Sequence, residues 1–533
     1  MPQPAADGLI HSNGISTTNG LVIRAEDLAF SSKMESFTKR DTSPTSDTLF
    51  VVVQSLLAKY LLTLPEISAW LVEHPQVNQT QSSIEVTIRR WIESKFLLEY
   101  TSGHQPNPCV ILPPPLNPPK NNRIQSLAWI YSNTQLNNRF QPLQKTYNNL
   151  IKHLDLTGHN SYNQTIDPVE FGPQVVVNNR ICSMFSSNDY LGLSKHPSVV
   201  KAGQETYKRY GNSSSGSRIM TGTTSIHRKL EVAIADLKDC DDAVIFSSGF
   251  LANLALMSIF SRDTTIFFDS LNHACIIDGI RLAELNSVRF KHNNLTHLRN
   301  RLQDFPLVSH KVISVESVYS LDGDISPLPE IIDLAKQYNA IVVVDEAHST
   351  GTMGTTGKGI SEHFGLDRDA IALKMGTLGK ALGGEGGYIA GPRRIIDAIR
   401  YTSRPYLFST SLPAPIMAGT ATAIQILNRS PNLPQELQAK SKFSRDQLLA
   451  HGFNLGKSET QIIPIIIPDV DQAHLLQARL QTDGFFLNAI TYPAVPPKSS
   501  RLRLSINAHH SVDQISEVID RVVFHSKKMG VVK

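Results

Sequence analysis

Four apolar residues running into a carboxylate, Ile341-Val342-Val343-Val344-Asp345, limit this chain's fold more than any other feature. A stretch that is apolar at both odd and even positions has no face to offer water. It therefore reads as an inner strand of a parallel sheet with helices on both sides. Such a strand delivers its last side chain to the carboxyl edge of the sheet, where open α/β sheets bind ligands. Short apolar runs recur at 243–247, 313–317 and 371–375, with helical patterns between them, as at 328–338. That alternation predicts βαβ units: an α/β fold with a mostly parallel sheet covered by helices. From about 414 strands become fewer and helix dominates, which predicts a smaller C-terminal α+β domain.

Lys380 follows Asp345 by 35 residues, in Gly376-Thr377-Leu378-Gly379-Lys380-Ala381-Leu382-Gly383-Gly384. A lysine in a glycine loop is by itself an ordinary surface residue, and so is a strand-end aspartate. In this order they are what an enzyme using pyridoxal 5'-phosphate (PLP) needs. The amine forms the Schiff base, the small neighbours admit a flat ring, and the carboxylate keeps a pyridine nitrogen protonated. A phosphate needs free N–H groups at a helix start. Ser248-Gly249-Phe250 lies between the 243–247 strand and an apolar helix near 251–260, so Gly249 and Phe250 are placed to supply them. An amino-acid carboxylate suits the planar fork of a guanidinium. Arg501 and Arg503 alternate with Leu502 and Leu504, a strand pattern that puts both arginines on one face. A nucleotide-binding loop does not fit, because Lys358 and Lys380 are followed by Gly359 and Ala381 rather than Ser or Thr.

At 533 residues the chain has room for two or three domains. Its net charge of +4 comes without a basic block, so nothing points to nucleic acid. Cys109, Cys182, Cys240 and Cys275 are far apart, which predicts neither a zinc site nor a disulfide framework, and a reducing, cytoplasmic setting. No apolar run approaches the roughly 20 residues of a membrane span. Residues 1–47 are polar and Ser/Thr-rich and read as disordered. Residues 48–102 read as a small helical domain, in which Ile84, Ile88, Trp91 and Ile92 share a helical face. Residues 103–122 form a linker, with seven prolines between 106 and 119. The catalytic part is then expected as an N-terminal segment at 123–195, a PLP-binding large domain at 196–413 and a small domain at 414–533.

The motifs resemble the α-oxoamine synthase family of fold type I PLP enzymes, and they occur in that family's order from about Phe185 to His509. They are Asn188-Asp189-Tyr190-Leu191-Gly192-Leu193, Ser248-Gly249-Phe250-Leu251-Ala252-Asn253, Leu271-Asn272-His273-Ala274 and Ser320-Leu321-Asp322-Gly323-Asp324. The Asp345 strand, the Lys380 loop, Ser409-Thr410-Ser411-Leu412-Pro413 and Arg501-Leu502-Arg503 follow. The family includes 5-aminolevulinate synthase, 2-amino-3-ketobutyrate ligase, 8-amino-7-oxononanoate synthase and serine palmitoyltransferase. The resemblance implies that His273 stacks on the cofactor ring opposite Lys380, while His348 and Ser320 bond its phenolic oxygen. It also implies that Thr377 reaches the phosphate, joined by Ser409 and Thr410 from the partner subunit of a homodimer. Arg503 would take the amino-acid carboxylate, with Asn188 assisting and Arg501 as the alternative.

The reaction implied is a decarboxylative condensation of an amino acid with an acyl thioester, giving an α-aminoketone, CO2 and a thiol. Lys380 serves there both as covalent anchor and as proton carrier. A PLP aminotransferase also needs the Asp and Lys; His273 and the Asn188 motif favour the synthase. A non-catalytic regulatory subunit is disfavoured by retention of Lys380 with Asp345, His273 and His348. Glycine-using 5-aminolevulinate synthases resemble the chain around Gly216-Ser217-Arg218 but place Thr where Ser217 stands, so alanine or serine is expected over glycine. Upstream, Gln81–Trp91 resembles the start of the second helix of polyketide-type acyl carrier domains, with Ser82 on the phosphopantetheine-bearing serine. Gln81 and Ser83 depart from that motif's Asp and Leu, so the region reads as a modified carrier or a docking remnant for a polyketide synthase or carrier protein.

Overall fold

The structure, a computed structural model, describes residues 164–169 and 172–532, together with four short strands nearer the N-terminus. The chain divides into two units, Met1–Asn148 and Asn149–Lys533. In the first, Thr17–Thr18 pairs antiparallel with Leu21–Val22, and Leu98–Tyr100 with Cys109–Ile111. Ser82 and the rest of the expected carrier-like segment and linker lie outside the described residues.

The second unit is organised by a seven-stranded sheet. Its strands are β1 Asp242–Phe246, β2 Thr265–Asp269, β3 Asn286–Phe290, β4 Lys311–Glu316, β5 Ala340–Asp345, β6 Leu373–Thr377 and β7 Gly387–Gly391. They lie in the order β3-β2-β4-β5-β6-β7-β1. All neighbours from β3 to β6 are parallel, and β7 is antiparallel to both β6 and β1. The four strands read from the sequence are found within two residues of their expected ends. The offsets arise because ladder bonding, not hydrophobicity, sets a strand's limits. Lys311 begins β4 because its ammonium is bonded to Pro306 O at 2.6 Å and Ser309 Oγ at 3.0 Å, which lets a charge enter the sheet.

Alternation along β5 distributes its side chains to two cores. Val342 and Val344 pack with Leu328, Ile331 and Ile313 on one face, under the helix Leu328–Gln337. Val343 packs with Ala252, Leu256 and Val312 on the other, under the helix Gly249–Ser258. Period two then places Asp345 on the Gly249–Ser258 side, and pairing in register places Glu316 beside it. A three-stranded antiparallel sheet, Ile462–Ile466, Arg501–Ser505 and Asn488–Ile490, builds the C-terminal layer with the helices Val470–Thr482 and Val512–Lys528. Strand Arg180–Met184 joins that layer by pairing with Phe485–Phe486.

The turn after β5 is fixed by a buried ion pair. Lys238 Nζ lies 2.6 Å from Glu346 Oε2, with the two side chains 1% and 0% exposed. Glu346 Oε2 also accepts from Ile360 N at 3.1 Å and Ser349 Oγ at 3.0 Å, which ties down the segment carrying His348. Removing one member of such a pair strands the other charge in the interior. Lys238→Met is therefore expected to lower unfolding free energy by about 3–5 kcal/mol in denaturant titration. A loss under about 1 kcal/mol would contradict this role for the pair.

Candidate active site

At the carboxyl edge of the sheet, Asp345 is held by two donors. Asn253 Nδ2 donates to its Oδ2 at 2.7 Å, and Ala347 N donates to its Oδ1 at 2.8 Å. Asn253 sits one helical turn into Gly249–Ser258, on the face that packs against β5. Its amide also reaches Cys275 Sγ at 3.1 Å, and that sulfur lies 2.8 Å from His273 Nδ1. Glu316 accepts from the backbone N–H of His273 at 2.5 Å. Burial, reinforced by the neighbouring Asp345 charge, holds Glu316 well above the usual carboxylate range.

Lys380 comes from the turn between β6 and β7, closed by Leu378 N to Gly386 O at 2.9 Å and Gly383 N to Lys380 O at 2.9 Å. Gly383 has a positive φ of 62°, and a Cβ there would lie 2.5 Å from Ser194 N, so the turn requires glycine. The Lys380 amine lies 2.7 Å from His348 Nε2. Burial pulls its pKa down to about 8, against the opposing pull of Asp345 and Glu316. His348 and His273 are also pushed down by burial, His348 well below the imidazole range with Lys380 and Arg503 adding to the effect. The site thus holds neutral imidazoles around an amine that loses its proton readily.

Arg503 is 8% exposed and points at the same edge from the C-terminal sheet. Its Nε donates to Ser320 O at 2.8 Å, its Nη1 to Ser505 Oγ at 2.9 Å, and its Nη2 to Asn188 Oδ1 at 3.2 Å and Tyr190 Oη at 3.1 Å. Arg501 shares that face but is committed elsewhere, to Asp322 Oδ1 at 2.8 Å and Leu321 O at 3.0 Å. Of the two, Arg503 is the one in the network with His348 and Lys380.

The segment expected to cradle a phosphate forms a strand-to-helix turn. Ser248 caps the helix Gly249–Ser258, its Oγ accepting from Leu251 N at 3.1 Å. First-turn N–H groups have no partner inside a helix, so those of Gly249 and Phe250 remain for a ligand. A Cβ on Gly249 would lie 3.4 Å from Thr377, and one on Gly387 would lie 2.6 Å from Gly249 Cα. These glycines therefore let strand and helix start converge at the cradle. Thr377 Oγ1 donates to Gly386 O at 2.9 Å and accepts from Gly379 N at 3.2 Å, facing this turn. Ser409, Thr410 and Ser217 form a separate cluster. Thr410 is bridged antiparallel to Ser217, and Ser409 Oγ lies 3.2 Å from Ser247 Oγ.

The chain's relatives agree with this geometry. Residues 180–522 match the family described as aminotransferase class I and II. A putative 8-amino-7-oxononanoate synthase of Acetivibrio thermocellus is 38% identical over 68% of this chain and 93% of its own length. A serine palmitoyltransferase of Sphingobacterium spiritivorum is 36% identical over 70% of this chain and 94% of its own. Among solved structures, a serine palmitoyltransferase with its PLP internal aldimine superposes with a TM-score of 0.71, at 31% identity over 74% of this chain and all of that one. The chain belongs to the α-oxoamine synthases. This synthase is a PLP-dependent C-acyltransferase with the fold type I architecture, and its substrates are an amino acid and an acyl thioester. The residues fit the cofactor: a carboxylate and an amine share a largely buried edge, beside a helix start with unclaimed N–H groups.

Four residues of the site carry no role in the sequence analysis: Tyr190, Asn253, Cys275 and Glu316. Three of them stand in or beside quoted motifs: Tyr190 as the third residue of the Asn188 motif, Asn253 as the last of the Ser248 motif and Cys275 as the second residue after His273. Glu316 would have been found by pairing the 313–317 run in register with the Asp345 strand.

The lowered amine pKa makes a testable claim. Capture of PLP by the apoenzyme needs neutral Lys380, so its rate is expected to rise with pH through about 8 and then level off, not climb toward 10.5. Asp345 favours the protonated amine, so Asp345→Asn lowers that pKa further and moves the midpoint to lower pH. Lys380→Ala abolishes covalent capture. A wild-type midpoint near that of an exposed lysine, or an upward move with Asp345→Asn, would contradict the geometry.

Proposed function

We propose that this synthase condenses alanine or serine, in preference to glycine, with a carrier-bound polyketide-type acyl thioester, releasing CO2 and the free thiol and forming an α-aminoketone. The observation that carries the chemistry is the Lys380 amine, 2.7 Å from His348 at the edge that also presents Asp345 and Arg503. PLP bound there supplies an electron sink for charge developing at the substrate Cα. Asp345, whose two oxygens are fixed by Asn253 and Ala347 N, would keep the ring nitrogen protonated. Ser248, Gly249, Phe250 and Thr377 would hold the phosphate, and His273 would cover the ring. Arg503, steadied by Asn188, binds the carboxylate of the amino acid. Lys380 takes the Cα proton as a neutral amine and later returns a proton to the product. His348 and Ser320 orient the phenolic side.

Three features support the finer reading. Ser217 lacks the methyl group of the threonine in glycine-using relatives, leaving room for a small substrate side chain; such a difference discriminates by about 1–3 kcal/mol. The carrier-like segment around Ser82 supplies a docking or phosphopantetheine-bearing element for the acyl donor. The bridge between Ser217 and Thr410 makes these residues one structural unit, so a homodimer that lends Thr410 to its partner's site lends Ser217 with it. Cys182, Cys240 and Cys275 are free thiols, which suits a cytoplasmic enzyme. Among the described residues no helix is long and apolar enough to cross a membrane.

In a competition assay with glycine, alanine and serine, alanine or serine is expected to give most of the product, and dominant glycine turnover would refute the preference. Removing residues 1–120 is expected to impair turnover of carrier-bound acyl chains much more than that of small soluble thioesters. Equal loss on both would deny the extension this role. Mixed dimers of Lys380→Ala and Thr410→Ala chains are expected to regain activity that neither parent has, and no recovery in verified heterodimers would argue against shared sites.

A further inference from the structure

The groups around Lys380 form one chain of hydrogen bonds that ends at Arg503, and its hydrogen count leaves a single choice open. A guanidinium only donates. Arg503 Nη2 reaches Tyr190 Oη at 3.1 Å and Asn188 Oδ1 at 3.2 Å, so both oxygens accept from it. Tyr190 is fully buried and has one hydroxyl hydrogen, with two acceptors in reach: Asn188 Oδ1 at 3.0 Å and His348 Nδ1 at 2.7 Å. His348 in turn faces the Lys380 amine through Nε2 at 2.7 Å.

The Tyr190 hydrogen has two settings. When it points to Asn188, His348 carries its proton on Nδ1 and donates it to the phenol oxygen, and its Nε2 lone pair accepts from Lys380 either as ammonium or as amine. When it points to His348, the imidazole carries its proton on Nε2 and donates it to a neutral Lys380 amine, because an ammonium has no lone pair to receive it. Only the second setting selects the protonation state of Lys380, and the proton that the ammonium then loses goes to solvent.

We infer that Tyr190 is a positioning residue whose hydroxyl sets the tautomer of His348, giving Lys380 a matched partner both as ammonium and as amine. The inference rests on the reading of Lys380 as the PLP lysine and proton carrier. A charged imidazole is no substitute, because burial and the cations Lys380 and Arg503 disfavour it. The other groups facing this pair are Asp345, Glu316, Cys275 and His273 from the sheet edge and its loops. Gln461 lies beside Tyr190 and donates to the His348 carbonyl at 2.9 Å, which fixes the backbone without choosing a tautomer. Thr352 Oγ1 does the same at 2.7 Å. The ring nitrogens are thus left to Tyr190 and Lys380.

The test is a double-variant cycle read as the pH midpoint of PLP capture by the full-length apoenzyme. Asn188→Ala removes one acceptor, so the Tyr190 hydrogen turns to His348, Nε2 becomes a donor and neutral Lys380 is favoured. The midpoint is expected to fall by about 0.5 unit or more, giving about threefold faster capture below the midpoint. In a Tyr190→Phe background, Asn188→Ala is expected to leave the midpoint where Tyr190→Phe has put it. An effect transmitted through Arg503 instead would appear in both backgrounds. Equal shifts in the two backgrounds, or no fall with Asn188→Ala alone, would overturn the inference. Should Tyr190→Phe fail to fold, the 15N shifts of the His348 ring decide: Asn188→Ala is expected to move its proton from Nδ1 to Nε2, and an unchanged tautomer would overturn the inference. Borohydride reduction and peptide mapping keep the two readings apart. A failed relay leaves the label on Lys380, whereas a label elsewhere overturns the assignment of the lysine and the relay with it.

Discussion

An amine kept close to neutrality by burial is the constraint on which the rest of this site depends. In water a lysine amine is almost wholly protonated at neutral pH and can neither attack an aldehyde nor take a proton from carbon. Here the turn between β6 and β7 brings Lys380 to a largely enclosed edge, where loss of hydration lowers its pKa to about 8. Asp345 and Glu316 face the same place and pull the other way, and burial outweighs them. Burial and the Asp345 charge hold the Glu316 carboxyl well above the usual range, which weakens its share of that pull.

The sheet makes this arrangement rigid. Parallel pairing in register puts the ends of β4 and β5 side by side, and period-two alternation sends both acids to the face covered by Gly249–Ser258. The same helix opens its N-terminal N–H groups at this edge and gives its Asn253 amide to Asp345, so one element serves both the turn and the carboxylate. The Lys238–Glu346 pair then fixes the turn that aims His348 at Lys380. The C-terminal sheet completes the site from the other side through Arg503, which makes four hydrogen bonds, to Ser320, Ser505, Asn188 and Tyr190.

The parts legible in the sequence were those in which one short segment carries the whole signal. The four-residue apolar run of β5 declares a two-face-buried strand, and Lys380 among glycines declares a crowded turn. Three strands of the central sheet escaped notice for identifiable reasons. β3, Asn286–Phe290, is a sheet edge with mostly exposed residues, and so lacks an apolar pattern. β7 begins in a glycine crowded by Gly249 and ends in one crowded by Leu373 and Ala372, and glycine ordinarily signals a turn. β2, Thr265–Asp269, offers only three apolar residues, Ile266, Phe267 and Phe268, between polar ends. Long-range chemistry was the least legible. Tyr190 meets His348 and Arg503 across 158 and 313 residues of chain, and nothing local to Tyr190 encodes that. Likewise, the alternation of Arg501 and Arg503 put both on one face, but only the fold gives Asp322 to the first and leaves the second to the site.

Conversion of carboxyl-labelled alanine with an acyl thioester tests the central claim most directly, because it separates decarboxylative condensation from amino-group transfer. This account predicts one labelled CO2 released for each thiol freed and each α-aminoketone formed, with all three lost in Lys380→Ala. Label retained in a 2-oxo acid, with no thiol released, would make the protein an aminotransferase and contradict it.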